Sequence, residues 1–100
     1  MTNVEFLQIY DSGNPDFTEG EIMKMAYGKF GTYVDEIGKG YGRWTQGMQT
    51  IFEVNGRLFA VNWFRGLTEQ QEDDFEDADV YEVERKEKVI FYYVRKNTHD

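Results

Sequence analysis

Between residues 19 and 37 apolar side chains recur every three or four positions: Ile22, Ala26, Phe30, Tyr33 and Ile37. That spacing lines one face of an α-helix. Thr18 and Glu21 precede it at the separation of a capping box, so the pattern predicts one main helix over 19–37. Gly28 and Gly31 lie inside it and would each cost about 1 kcal/mol relative to Ala, which points to close packing against a strand or a kink there. Gly38, Gly40 and Gly42 then end the helix, and 38–43 reads as a C-cap followed by a flexible connection. Ahead of it, the turn-rich stretch 11–16, with the chain's one proline, closes any short element in 4–10.

The pattern changes at residue 49. Residues 50–54 and 57–64 are rich in β-branched and aromatic side chains and are separated by Asn55-Gly56. That pair tolerates the positive φ a type I′ turn demands, so 49–64 predicts a central Asn-Gly hairpin. Thr68 and Gln71 have capping-box spacing again, suggesting a short helical turn. Residues 80–96 supply the last strand material, above all the run Val89, Ile90, Phe91, Tyr92, Tyr93 and Val94, with 85–88 as a turn or an exposed stretch between two strands. The expected fold is α+β: one helix on an antiparallel sheet of three or four strands. At 100 residues, 40% of them apolar and 17% aromatic, residues 1–100 form a single domain able to bury its own core.

Charge alters this picture in one place. Residues 69–84 hold nine carboxylates (Glu69, Glu72, Asp73, Asp74, Glu76, Asp77, Asp79, Glu82, Glu84) and no Lys or Arg. The remaining ten acids face 11 bases, so a net charge of -8 comes from this one segment. Such a charge disfavours direct contact with nucleic acid or anionic lipid. A localised negative field is instead drawn to positive surfaces, of which nucleic-acid-binding grooves, polyamines and metal ions are the common ones.

Chemistry finds little support. Cysteine is absent, which removes thiolate nucleophiles and thiolate zinc sites and fits a cytoplasmic setting. The single histidine, His99, stands without a recognisable nucleophile partner, so we expect no enzyme and no cofactor. The Gly38–Arg43 stretch lacks the Gly-Lys-Ser/Thr ending of a phosphate loop. Glycosidase chemistry would need one carboxyl buried to raise its pKa, which a crowded solvent-facing run does not provide. An EF-hand register begun at Asp73 places Phe75 and Ala78 at the third and sixth positions and fails, leaving at most loose divalent-cation binding. The residues around Met1 contain no basic and apolar export signal, and no run is long enough to cross a membrane.

The acidic run also contains Phe75, Val80, Tyr81 and Val83, which would anchor it to the core and make it a fixed face. One reading is a solubilising edge strand kept from aggregating by its charges. Another is a carboxylate array displayed where phosphates would sit in a Lys/Arg-lined channel, with a linear charge density comparable to that of a nucleic acid. On that second reading the partner-binding set is Glu69, Glu72, Asp73, Asp74, Glu76, Asp77 and Asp79, with Phe75 and Tyr81 as anchors.

Residues 52–63, followed by 66–73 and the acidic Tyr81-Glu82-Val83-Glu84, resemble small accessory proteins encoded by phages and prophages of Gram-positive bacteria. The resemblance covers a third to a half of the chain. Some proteins of that class are anti-CRISPR proteins, and several inhibitors of Cas9 among them are small, acidic, cysteine-poor and non-enzymatic. The class shares no motif, so no residue's role is carried over from it. The resemblance implies an inhibitor acting in the bacterial cytoplasm on a nucleic-acid-processing defence enzyme, Cas9 first, by binding its basic surface. The alternative is a phage structural or assembly protein that self-associates through an aromatic sheet face.

Overall fold

Two capping boxes start two short helices. The computed structural model describes residues 1–97, and His99 lies outside them. In α1 (Asn3–Tyr10) the Thr2 hydroxyl accepts from Glu5 N–H at 3.1 Å, and the Glu5 carboxylate accepts from Thr2 N–H at 3.3 Å. In α2 (Glu19–Ala26) Thr18 and Glu21 repeat the exchange at 3.2 and 2.8 Å. Each box supplies partners for N–H groups that a helix start otherwise leaves open.

The helix expected over 19–37 stops at Ala26, and the two glycines are the cause. Gly28 takes φ 71° just past the C-cap Tyr27. Its N–H bonds the Met25 carbonyl at 3.1 Å, and Lys29 N–H bonds that of Lys24 at 2.8 Å. These are the paired closing bonds of a Schellman motif. Gly31, at φ 65°, then brings the backbone so close to the strand holding Glu53 that a Cβ there would sit 2.6 Å from the Glu53 carbonyl oxygen. The chain leaves as a strand, not a helix.

Four strands follow: β1 (Thr32–Tyr41), β2 (Thr45–Val54), β3 (Arg57–Gly66) and β4 (Asp74–Val83). They form one antiparallel sheet in chain order, with β1 and β4 at its edges. The glycines assigned to a helix cap belong to β1 and its turn. β2 and β3 pair from Val54↔Arg57 to Thr45↔Gly66, and Asn55 and Gly56 between them have φ 50° and 84°. The segment opening at Thr68 is a turn, closed by Gln71 N–H on the Thr68 carbonyl, rather than a helix. Residues 84–97 form no strand, which overturns the expectation for 89–94.

The core lies between the sheet and the helices. Alternate residues of the two inner strands point there: Met48, Thr50, Phe52 and Val54 from β2, and Phe59, Val61 and Trp63 from β3. Phe6 of α1 is the hub, with ring centroids 4.8 Å from Phe59, 5.2 Å from Phe17 and 5.3 Å from Phe30. The one buried polar side chain among the described residues, Thr50, donates to the Ala26 carbonyl at 2.7 Å and accepts from Trp63 Nε1 at 3.0 Å. It thereby ties the end of α2 to the centre of the sheet with every polar group satisfied. No helix among the described residues is long and apolar enough to cross a membrane.

Candidate functional site

The acidic run is the turn 69–73 and the edge strand β4. Three of its apolar residues fix it in place. Phe75, Ala78 and Val80 pack on the core, with Phe75 stacked on Trp63 at 5.6 Å and edge-on to Tyr27 at 5.7 Å. Phe75 is 8% exposed, so it holds the strand from beneath and presents nothing to a partner. Tyr81 points to the opposite, open face of the sheet, donating to Asn62 Oδ1 at 3.1 Å and accepting from Gln49 Nε2 at 2.6 Å. It too is a structural anchor, joining β2, β3 and β4.

The carboxylates divide into two groups. Asp73 is engaged in structure: it accepts from the Tyr27 hydroxyl at 2.5 Å and from Gly66 N–H at 2.9 Å, closing the turn into β4. Partial desolvation, reinforced by that carboxylate, pushes the Tyr27 hydroxyl up to about 12. Glu82 is also engaged. Arg57 grips it at 3.0 Å and takes Asp11 in a second, two-pronged pair at 2.8 and 3.0 Å. The guanidinium holds both carboxyls below their ordinary range and is itself pushed up by them. This clamp joins the end of α1 to β3 and β4, and no pattern in the sequence announces it, because Asp11 and Arg57 are 46 positions apart.

Glu69, Glu72, Asp74, Glu76, Asp77 and Asp79 form the second group. All are exposed, and none makes an ion pair with a described residue. Their display is shaped by a bulge: from Asn62↔Asp79 to Phe64↔Asp74, two steps along β3 are matched by five along β4. Extra residues on one strand push it outward and break its pairing. Glu76 and Asp77 lie within that stretch and end on different sides. Asp73, Asp74 and Glu76 share a groove of about 520 Å³ with Glu19, Ile22 and Phe17 of the helix layer, whereas Asp77 borders a groove on the open face with Tyr41 and Phe64. Glu19 was not among the residues the sequence singled out, since only the fold brings it beside β4.

Charge density falls short of the sequence expectation. At about 3.3 Å per residue, the five acids of the ten-residue β4 average roughly one charge per 7 Å, about half the density of a single nucleic-acid strand at about 3.4 Å per charge. Division between two faces dilutes it further. The array is a set of discrete acceptors around an apolar-floored groove more than a copy of a phosphate backbone. Among the described residues no three acids or histidines come together as a metal site. No protein-family model, curated protein or solved structure matches the chain.

Proposed function

We propose that this chain is a non-enzymatic, phage-encoded inhibitor of a bacterial nucleic-acid-processing defence enzyme, with Cas9 the first target, acting in the host cytoplasm. It seats the acidic edge of β4 in a basic channel and blocks nucleic-acid loading. One observation carries this reading: six exposed carboxylates make no ion pair with a described residue, and four of them, Asp74, Glu76, Asp77 and Asp79, are held on a strand whose inward residues are locked into the core. Such an arrangement maintains mutual repulsion that a partner's Lys and Arg side chains would relieve. The groove among Glu19, Asp73, Asp74 and Glu76 suits a long basic side chain, whose methylenes would lie on Phe17 and Ile22 while its charge meets the rim. Cas9 holds its heteroduplex in a positively charged channel and reads its flanking motif with arginines, the surface such an edge would fit.

The test is cleavage of target DNA by guide-loaded Cas9 with the chain added before or after DNA. Inhibition is expected when the chain is added first, and its loss in D74N/E76Q/D77N/D79N, none of which touches the core. Undiminished inhibition by that variant would sink the acidic mechanism. Equal inhibition after DNA is bound would replace loading block with arrest of a conformational change. A second reading, a virion or assembly protein, draws on the exposed aromatics Tyr33, Tyr41, Trp44 and Phe64. It predicts open-ended assemblies in solution, visible by light scattering.

A further inference from the structure

The helices cover one face of the sheet and leave the other open. An antiparallel sheet tolerates a wet face when that face alternates to polar residues. Here, beside the hydrogen-bonded Gln49, Asn62 and Tyr81, it also carries Ile37, Ile51, Leu58, Phe64 and Val83, and a groove of about 430 Å³ on it is lined as well by Glu84, Arg85 and Lys86. The chain therefore leaves β4 over the open face and not around its outer edge. Beyond that point residues 89–94 are apolar on both alternating sides and 70% to 95% exposed, and no described residue pairs with them. The radius of gyration is 17.9 Å, against about 13 Å for a compact domain of this length.

Two uncovered apolar elements in one chain, joined by a short charged connection, call for a common cover. A strand apolar on both sides needs two apolar faces against it, and one chain with a single helix layer has only one to offer. Two copies have two. Charge agrees: residues 85–96 carry five bases and one acid, whereas the open face is bordered by Asp35, Asp77 and the acidic β4, against Lys39 alone among the bases lining its grooves outside that segment. A two-fold axis would also set the two segments antiparallel to each other, giving their N–H and C=O groups partners.

We propose that the chain forms a closed two-fold dimer in which residues 89–94 of each copy lie over the open sheet face of the other. It does not require the acidic edge to have a partner: Asp77 borders the covered face, whereas Glu69, Glu72, Asp74 and Glu76 stay outside the interface. Sedimentation velocity of the full chain, from nanomolar to hundreds of micromolar, tests it without any target present. A monomer–dimer equilibrium is expected, and F91E/Y93E should raise the dissociation constant about thirtyfold or more, as loss of buried aromatic anchors does. At concentrations where the unaltered chain is monomeric its melting should not change, since the segment packs on nothing within its own chain. F64K on the open face should weaken the dimer likewise, and R95E/K96E should do so by a smaller factor. A monomer at every concentration, a dimer that survives F91E/Y93E or F64K, or growth beyond two copies would each overturn the proposal.

Discussion

Asp74–Val83 carries five carboxylates and is a strand, whereas residues 89–94 carry six strand-forming apolar side chains and are not. By propensity the assignment should be reversed. The difference lies in what each sequence asks of its surroundings. β4 needs only one covered face: Phe75, Ala78 and Val80 enter the core beside Trp63 and Val61, and its acids stay in water. Residues 89–94 need cover on both faces, and the described chain has no second layer to give it. Strand formation here follows the availability of a partner surface, and the acids are tolerated because the positions they occupy are the ones left outside.

That contrast can be broken most severely at Phe75. Truncation by F75A should cost about 3–4 kcal/mol by leaving a cavity against Trp63 and Tyr27, while F91A at dilute concentration should leave the denaturation midpoint unchanged. Equal sensitivity at the two positions would mean that 89–94 is folded after all. A smaller loss, about 1–3 kcal/mol, is expected for T50V, which strands the Trp63 N–H and the Ala26 carbonyl on which β4's support rests. Calorimetry reads it directly.

Within the acidic run the same logic separates residues by their partners. D73A should destabilise by about 1–2 kcal/mol through the lost Tyr27 and Gly66 bonds, whereas D77A should be neutral or stabilising by a few tenths, because it only relieves repulsion. The Tyr27 hydroxyl gives a spectroscopic check. Its raised pKa favours the neutral phenol in the fold, so that contribution is complete below the ordinary value of 10.0, and stability declines as pH rises towards about 12. D73N should move the tyrosinate absorbance change back towards the ordinary value. The smallest effect is at acid pH. Asp11 and Glu82 titrate below their ordinary range, so the Arg57 clamp is complete above the unfolded carboxylate pKa and weakens as pH falls through the folded ones. R57M should flatten that slope slightly, the pairs being exposed.

The legible parts of the sequence were those set by local rules. Thr18 with Glu21 marked the start of α2, the β-rich stretches of 49–64 became parts of β2 and β3, and the α+β class with a small antiparallel sheet followed. Periodicity misled where a local pattern met a backbone requirement. Tyr33 and Ile37 continue the helical spacing of Ile22 and Ala26, but Gly28 and Gly31 adopt positive φ and turn the same residues into β1. In the candidate site the sequence gathered the acids but could not sort them. Their sorting depends on Tyr27, Arg57 and Glu19, which come from other elements and reach β4 only after folding.

The claim that β4 is a binding edge is tested most directly by the affinity for Cas9 measured across a series of salt concentrations. The account predicts steep weakening as salt rises, and a shallower slope with weaker binding at low salt for D74N/E76Q/D77N/D79N. Affinity that stays constant across the series and is the same for the variant would contradict it.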